Sequence, residues 1–149
     1  MNRLHKFWSL SRREKQFCCE AAILLVLSNL CVWTIAFRHI YKFLTVYDNN
    51  CARAAFASAD EVRLVNLSLA RSANLMPWKS LCLSRSIAAF MMLRRRGIPA
   101  VMFVGARSEE SSLLAHAWIR TDSEDSDQPC EDSAFTALMK VGKGFPVNP

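Results

Sequence analysis

A cysteine and a histidine, far apart in the chain, have the types and local surroundings of a catalytic thiol–imidazole pair. Cys82 lies at the predicted start of a helix, and His116 lies in a predicted strand within the segment His116-Ala117-Trp118. The positive end of a helix dipole stabilises a thiolate over a thiol. Cys82 is therefore the candidate nucleophile. His116 is the candidate general base, which takes the thiol proton and later protonates a leaving amine.

The other cysteines are weaker candidates for this chemistry. Cys18, Cys19 and Cys31 lie in an apolar region, where loss of hydration disfavours a thiolate, and Cys130 lies among acidic residues, whose negative field does the same. The six cysteines show no Cys-x-x-Cys spacing, and there are three histidines. We therefore predict no metal site, no organic cofactor and no disulfide framework. Such scattered cysteines fit a reducing cytoplasm.

Length and composition indicate one folded unit. A chain of 149 residues with 52% apolar residues can bury a single core. We expect one domain over residues 1–149, with a helical N-terminal region at 1–76 and a catalytic core at 77–149.

The charge pattern favours acidic partners. The formal net charge is +6, although many of the acidic residues are bunched at 122–132. The remainder of the chain is strongly basic and could attract an acidic peptide or anionic lipid. We predict no nucleic-acid partner, since basic and aromatic residues are not interleaved in the way that stacks bases.

The N-terminal region reads as a long helix over residues 11–43. Ser11 and Glu14 form a capping-box pattern, and residues 21–37 carry no charge. This apolar run could be a buried core helix or partner-binding helix, or it could span a membrane or rest on its surface. A cleaved signal is disfavoured, because the residues after the run are large.

Helical patterning continues through residues 51–76 and 81–96. Pro77 ends the first of these helices, and Gly97 is the expected terminator of the second. Three arginines, 94–96, crowd the last turn of that helix. We expect them to be solvated and to complement the helix dipole.

After Gly97 the pattern becomes extended. Residues 100–105 form a short apolar run typical of a strand covered on both faces, and 113–121 alternate as a second strand. A last short element is expected at 135–141. The predicted fold class is α+β, a helical N-terminal half followed by a small antiparallel sheet.

A family resemblance is carried by residues 77–105, which read PWKSLCLSRSIAAFMMLRRRGIPAVMFVG, and by 115–120, which read AHAWIR. These segments resemble the leader peptidase of lasso-peptide biosynthesis, a stand-alone transglutaminase-like cysteine protease. The resemblance implies a papain/transglutaminase-like core. It also implies a bacterial cytoplasmic enzyme that removes the leader from a ribosomally made precursor peptide through a thioester.

The same resemblance implies partners. A separate leader-recognition protein would deliver the precursor, and an ATP-dependent cyclase would close the macrolactam ring on the newly exposed amine. Membrane-surface association through residues 21–37 is a further candidate interaction.

The resemblance also assigns the site. Cys82 matches the family nucleophile and His116 the base, and counting back from Phe135 favours Asp127 as the acid that orients the imidazole. Asp125 and Asp132 are the other candidates for the acid. Two other functions stay open: transglutaminase-like acyl transfer to an amine, and a non-catalytic membrane or scaffold role within the maturation complex.

Overall fold

The computed structural model describes residues 10–51, 59–76, 82–109, 112–121 and 135–142. Helices come first and strands last, as the α+β expectation requires, with the bounds α1 Arg12–Thr34, α2 Phe37–Asn50, α3 Ala59–Leu75, α4 Cys82–Arg95, β1 Ala100–Glu109, β2 Ser112–Thr121 and β3 Thr136–Val141. The predicted fold class is confirmed.

The predicted capping box at the start of α1 is confirmed. The Glu14 amide donates to Ser11 Oγ at 3.2 Å, and the Ser11 amide donates to the Glu14 carboxylate at 3.0 Å. These two bonds satisfy two of the amide donors that a helix start leaves open. The bond from the Ser11 amide, together with bonds from Arg71 and the Ser11 side chain, lowers the pKa of Glu14.

The prediction of one helix over 11–43 is wrong. The chain is extended at Ile35 (φ −118°, ψ 133°) and at Ala36 (φ −60°, ψ 135°), so that α1 ends and α2 begins anew at Phe37. The Thr34 hydroxyl donates to the Leu30 carbonyl, a bond typical of threonine near the end of a helix. The turn allows α2 to bury Ile40 and Leu44.

The three strands form one antiparallel sheet in the order β2-β1-β3. The central strand β1 is covered on both faces, as predicted: Ala100 and Met102 belong to the main core, and Val101 and Phe103 to a smaller cluster on the other face. The main core also draws residues from all four helices. The helical half and the sheet therefore share one hydrophobic interior.

The end of α4 follows its sequence signal closely. Gly97 has φ 72°, its amide donates to the Arg94 carbonyl, and the Ile98 amide donates to the Leu93 carbonyl. This double hydrogen-bond pattern is a Schellman motif, which favours glycine because the backbone is left-handed there.

The expectation of solvated arginines at this helix end is wrong for Arg94. Its side chain is fully buried and forms an ion pair with Asp48 of α2, which is also buried. Arg96 is mostly buried and pairs with Glu20 of α1, while Arg95 is largely exposed. These cations therefore fasten α4 to α1 and α2 in addition to complementing a dipole.

Gly105 is required by a close approach in the sheet. The register of β1 against β3 shifts between Val104 and Gly105. A Cβ at position 105 would lie 2.5 Å from the Thr136 carbonyl oxygen and 2.8 Å from the Trp118 ring. The sheet leaves no room for a side chain at this point.

We expect Gly105→Ala to lower the free energy of unfolding by about 1–3 kcal/mol, the usual cost of forcing a methyl group into a packed region. Urea denaturation measures this loss. Ala115→Ser, at an exposed position of the neighbouring strand, is the control and should change stability little. Equal stability of Gly105→Ala and the parent chain would contradict this account of the close approach at Gly105.

One face of α1 remains exposed although the other is core. The α1 helix has 23 residues and is long and apolar enough, by length and composition, to cross a membrane. One-third of its most apolar 18-residue segment is buried. The exposed residues are spaced as one helical stripe: Ile23, Leu27, Leu30 and Trp33.

Candidate active site

Cys82 is the first residue of α4, as the sequence predicts, and its side chain is partly buried. A residue in the first turn of a helix lies beside backbone amides that have no partner within the helix. Such amides point toward an anion, and they favour a thiolate and the oxyanion that forms when a thiolate attacks a carbonyl.

A buried hydrogen bond links the neighbours of the two candidate residues. The Ser86 hydroxyl of α4 donates to the Ala117 carbonyl of β2 at 2.9 Å. Ser86 lies about one helical turn after Cys82, and Ala117 directly follows His116. This contact therefore holds the start of α4 against the part of β2 that carries the histidine.

Cys82 and His116 line the same cavity. It has a volume of about 280 Å³ and lies between α3, α4 and β2. Its lining is mostly apolar, with a few polar side chains near the candidate pair. Arg85, Ser86 and Ala117 also line it, and the wall from α3 includes Asn66 and Leu67.

Aromatic contacts fix the position of the His116 ring. Its centroid lies 5.9 Å from that of Trp118, with the rings nearly parallel, and 5.0 Å from that of Phe135. Trp118 also stacks on Phe103 at 5.6 Å and is 3% exposed. Trp118 is thus a core residue that supports the imidazole, and it is absent from the lining of the cavity among the residues that the structure describes.

The acid of the predicted triad lies outside the described residues. This holds for Asp127 and for the two other candidates, Asp125 and Asp132. The next described residue, Phe135, contacts His116 and has the Arg107 guanidinium 5.1 Å from its ring centroid. The assignment of the acid stays a prediction.

Two contributors to the site are missed by sequence reasoning. Ser86 reads as an ordinary polar residue of an amphipathic helix, and Phe135 reads as a strand residue. Their roles depend on contacts with β2. Ser86 bonds to Ala117, 31 residues later in the chain, and Phe135 contacts His116, 19 residues earlier. The only usable signal for Ser86 is its spacing of four residues from Cys82, which places both on one helix face.

We expect Ser86→Ala to reduce both stability and turnover. Loss of the hydroxyl leaves the Ala117 carbonyl without that donor, at a cost of about 1–3 kcal/mol, and loosens the contact between α4 and β2. Denaturation and steady-state kinetics measure the two effects. Ser72→Ala is the matched control, because Ser72 makes a similar buried bond to the Cys18 carbonyl, between α3 and α1. The Ser72→Ala variant should lose stability while its kcat is retained. An equal loss of kcat in Ser86→Ala and Ser72→Ala would refute a positioning role for Ser86.

The fold brings a thiol at a helix start and a histidine of an antiparallel sheet to the lining of one cavity, as a cysteine enzyme of the thiol–imidazole class requires. The family comparison agrees. The family model described as transglutaminase-like superfamily matches residues 18–140, so the chain belongs to this superfamily. Activity of the cysteine protease or acyltransferase type follows from that membership. Neither the curated proteins nor the solved structures give a significant match.

Proposed function

We propose that this chain is a cysteine peptidase that removes the leader peptide from a lasso-peptide precursor. The observation that supports it most directly is that Cys82 and His116 line one cavity in a transglutaminase-like chain. The sequence resemblance around both residues supports the choice of substrate. The cavity's mostly apolar lining suits a peptide segment better than a strongly charged small molecule.

The proposed reaction forms and then hydrolyses a thioester. The Cys82 thiolate attacks the carbonyl carbon at the leader–core junction, and backbone amides at the start of α4 stabilise the oxyanion. The carbon–nitrogen bond breaks, and His116 protonates the departing core amine. Water then attacks the thioester, His116 accepts its proton, and the leader leaves with a free carboxylate. Asp127 is the proposed acid that keeps the imidazole in the productive tautomer.

The proposed partners are the precursor, a separate leader-recognition protein and the ATP-dependent cyclase, and the proposed location is the cytoplasm. The test incubates the purified chain with the precursor encoded beside its gene, with and without the recognition protein. Mass spectrometry should detect free leader and free core peptide. An intact precursor in both mixtures would refute the peptidase assignment.

A competing amine separates hydrolysis from acyl transfer, since both reactions pass through the same thioester. Adding an excess of a small primary amine to the reaction should leave free leader carboxylate as the main product. A leader amide formed in its place would replace the peptidase with a transglutaminase-like acyltransferase.

The exposed stripe on α1 is the proposed point of contact with a membrane surface. Trp33 is 78% exposed, and exposed Arg38 and Lys42 follow on α2, so an apolar stripe is accompanied by cations, a pattern suited to anionic lipid. Spanning the bilayer would remove from the core the opposite face of α1, which includes Phe17 and Leu25. Contact with the surface keeps that face in place.

We expect the chain to float with vesicles that contain anionic lipid and to remain behind with purely zwitterionic vesicles. Leu27→Glu should abolish flotation because it places a carboxylate within the stripe. Leu75→Glu, at an exposed apolar position of α3, is the control that should still float. Sedimentation of the parent chain or of a variant without vesicles would indicate self-association instead. Absence of flotation by the parent chain would refute the proposal.

A further inference from the structure

Arg85 places a positive charge beside the candidate nucleophile. It follows Cys82 by three residues on α4, and both residues line the same cavity. Residues three apart share one face of a helix, with their Cβ atoms about 5–6 Å from each other. The Arg85 side chain is exposed to solvent, so its guanidinium is open to a ligand that enters the cavity.

No carboxylate among the described lining residues balances this charge. Apart from the candidate pair, the other polar side chains of the lining are uncharged: Asn66, Ser86 and Thr121. Arg85 also forms no ion pair within the part of the chain that the structure describes. The cavity therefore presents a cation whose counter-charge is not supplied by these residues.

Other arginines of the same helix are paired, in contrast to Arg85. Arg94 pairs with a carboxylate of α2, and Arg96 pairs with one of α1. Across the described ranges, each acidic residue that forms an ion pair does so with an arginine other than Arg85: Glu14, Glu20, Asp48 and Glu61. These carboxylates serve the packing of the helices, which leaves Arg85 available to a ligand.

A carboxylate is the peptide group that suits this position. The planar guanidinium has donors in a fixed fork, which can bind both oxygens of a carboxylate at once. Most of the lining is apolar, and a hydrogen bond to a charged group is stronger where water is partly excluded. Asp and Glu are the residues that carry a carboxylate within a peptide.

We propose that Arg85 determines specificity by binding an acidic side chain of the peptide substrate close to the scissile bond. This inference rests on the proposed function, to which it adds a substrate feature. An extended peptide advances by at most about 3.3–3.6 Å per residue. Because Arg85 and Cys82 are one helical turn apart, the acidic residue lies within about three residues of the bond that is cleaved.

Peptide reagents that alkylate Cys82 test this specificity without requiring turnover. In one series an acetylated tripeptide of alanines carries a chloromethyl ketone at its C-terminus. In the other, an amidated tripeptide carries a chloroacetyl group at its N-terminus. Glu or its uncharged analogue Gln replaces each alanine in turn, so that the two series cover three residues on either side of the reactive carbon. The Cys82 thiolate displaces chloride and forms a carbon–sulfur bond, which peptide mapping by mass spectrometry follows.

The measured quantity is the ratio of the alkylation rates of the Glu and Gln reagents at each position. In the parent chain, Glu should react about 5- to 10-fold faster than Gln at one or two neighbouring positions of one series. Arg85→Gln should bring that ratio to about 1, and Arg85→Lys should keep part of it. Arg85→Glu should prefer a Lys reagent to the Glu reagent, which reverses the order found in the parent chain.

Arg120→Gln is the matched control. Arg120 is an exposed residue of β2 that lies over the Phe103 ring, on the face of the sheet opposite Ile119 and Thr121, which line the cavity. Its removal changes the net charge of +6 by the same amount as Arg85→Gln and should leave the ratio unchanged. A ratio that falls equally in both variants would show long-range attraction by the whole chain and would overturn the proposal.

The ratio also separates substrate binding from an effect on the thiol. An arginine that acted on the Cys82 sulfur alone would change the rates of the Glu and Gln reagents equally, so the ratio would stay near 1 in the parent chain. That result, or a ratio that Arg85→Gln leaves intact, would overturn the proposal.

Failure of the peptidase assignment gives a different result. An intact precursor together with a ratio that depends on Arg85 would remove the peptidase and retain the carboxylate site. Cleavage of the precursor with a ratio near 1 at every position would retain the peptidase and remove the site.

Discussion

Cys82→Ala and His116→Ala should each abolish cleavage of the precursor, with kcat/KM reduced by about 10⁴-fold or more for the cysteine. Alanine at position 82 removes the only atom that can form the thioester. Alanine at position 116 removes both the base that generates the thiolate and the acid that protonates the leaving amine. The expected loss is therefore in kcat, and initial rates of leader release measured by mass spectrometry report it.

Stability must be separated from chemistry in this experiment. His116 packs against Trp118 and Phe135, so its removal also leaves a gap in the smaller cluster. His116→Gln fills more of that space and should be just as inactive while unfolding closer to the parent chain. Cys82→Ser is the corresponding variant for the nucleophile.

Two other cysteines supply the matched controls. Cys19→Ala changes an exposed thiol on α1, and Cys130→Ala changes a thiol that lies outside the described residues. Both should retain the parent activity, because neither side chain is assigned to the site. Cleavage by Cys82→Ala at a comparable rate would eliminate the thioester mechanism.

The sequence predicts those features of the fold that local signals determine. The capping box, the start of α4 at Cys82, its end at Gly97 and the central strand each depend on residues within a few positions of one another. For the same reason, the helix start and the strand histidine could be recognised as candidate site residues before their positions in space were known.

The features that sequence reasoning misses depend on distant partners. The break at Ile35 follows no proline or glycine, and it is favoured because it lets α2 return its apolar face to the core. The cavity beside Cys82 exists because α3 and β2 both pack around α4, and no local sequence pattern encodes that packing. Burial of Arg94 likewise requires Asp48, which precedes it by 46 residues.

Arg94→Met should lower the free energy of unfolding by about 3–5 kcal/mol, the second large effect that we expect. Arg94 and Asp48 are 1% and 4% exposed, and the guanidinium also donates to the Asp48 and Ile98 carbonyls. Removing the cation leaves a carboxylate in the core without its main counter-charge. Urea denaturation at neutral pH measures the loss.

A double-mutant cycle distinguishes the ion pair from simple packing. Asp48→Leu alone should be as damaging as Arg94→Met, whereas the double variant should be more stable than either single variant, because no charge then remains buried. Arg13→Met is the surface control: Arg13 pairs with Glu61 at 2.7 Å but is largely exposed, and its loss should cost under about 1 kcal/mol. If the two single losses simply add in the double variant, the pair is not coupled.

The same cycle bears on catalysis, because Arg94 and Cys82 lie at opposite ends of α4. The ion pair fastens the C-terminal end of this helix to α2, and the Ser86 bond fastens its N-terminal end to β2. If both contacts serve to position the thiol, Arg94→Met should lower kcat even at temperatures where the chain stays folded. We expect instead that kcat per folded molecule is retained, because the Ser86 contact lies one turn from the sulfur and the ion pair is about 18 Å away along the helix. A kcat that falls in proportion to stability in the Arg94 variants would show that the whole helix, and not its first turn alone, positions the nucleophile.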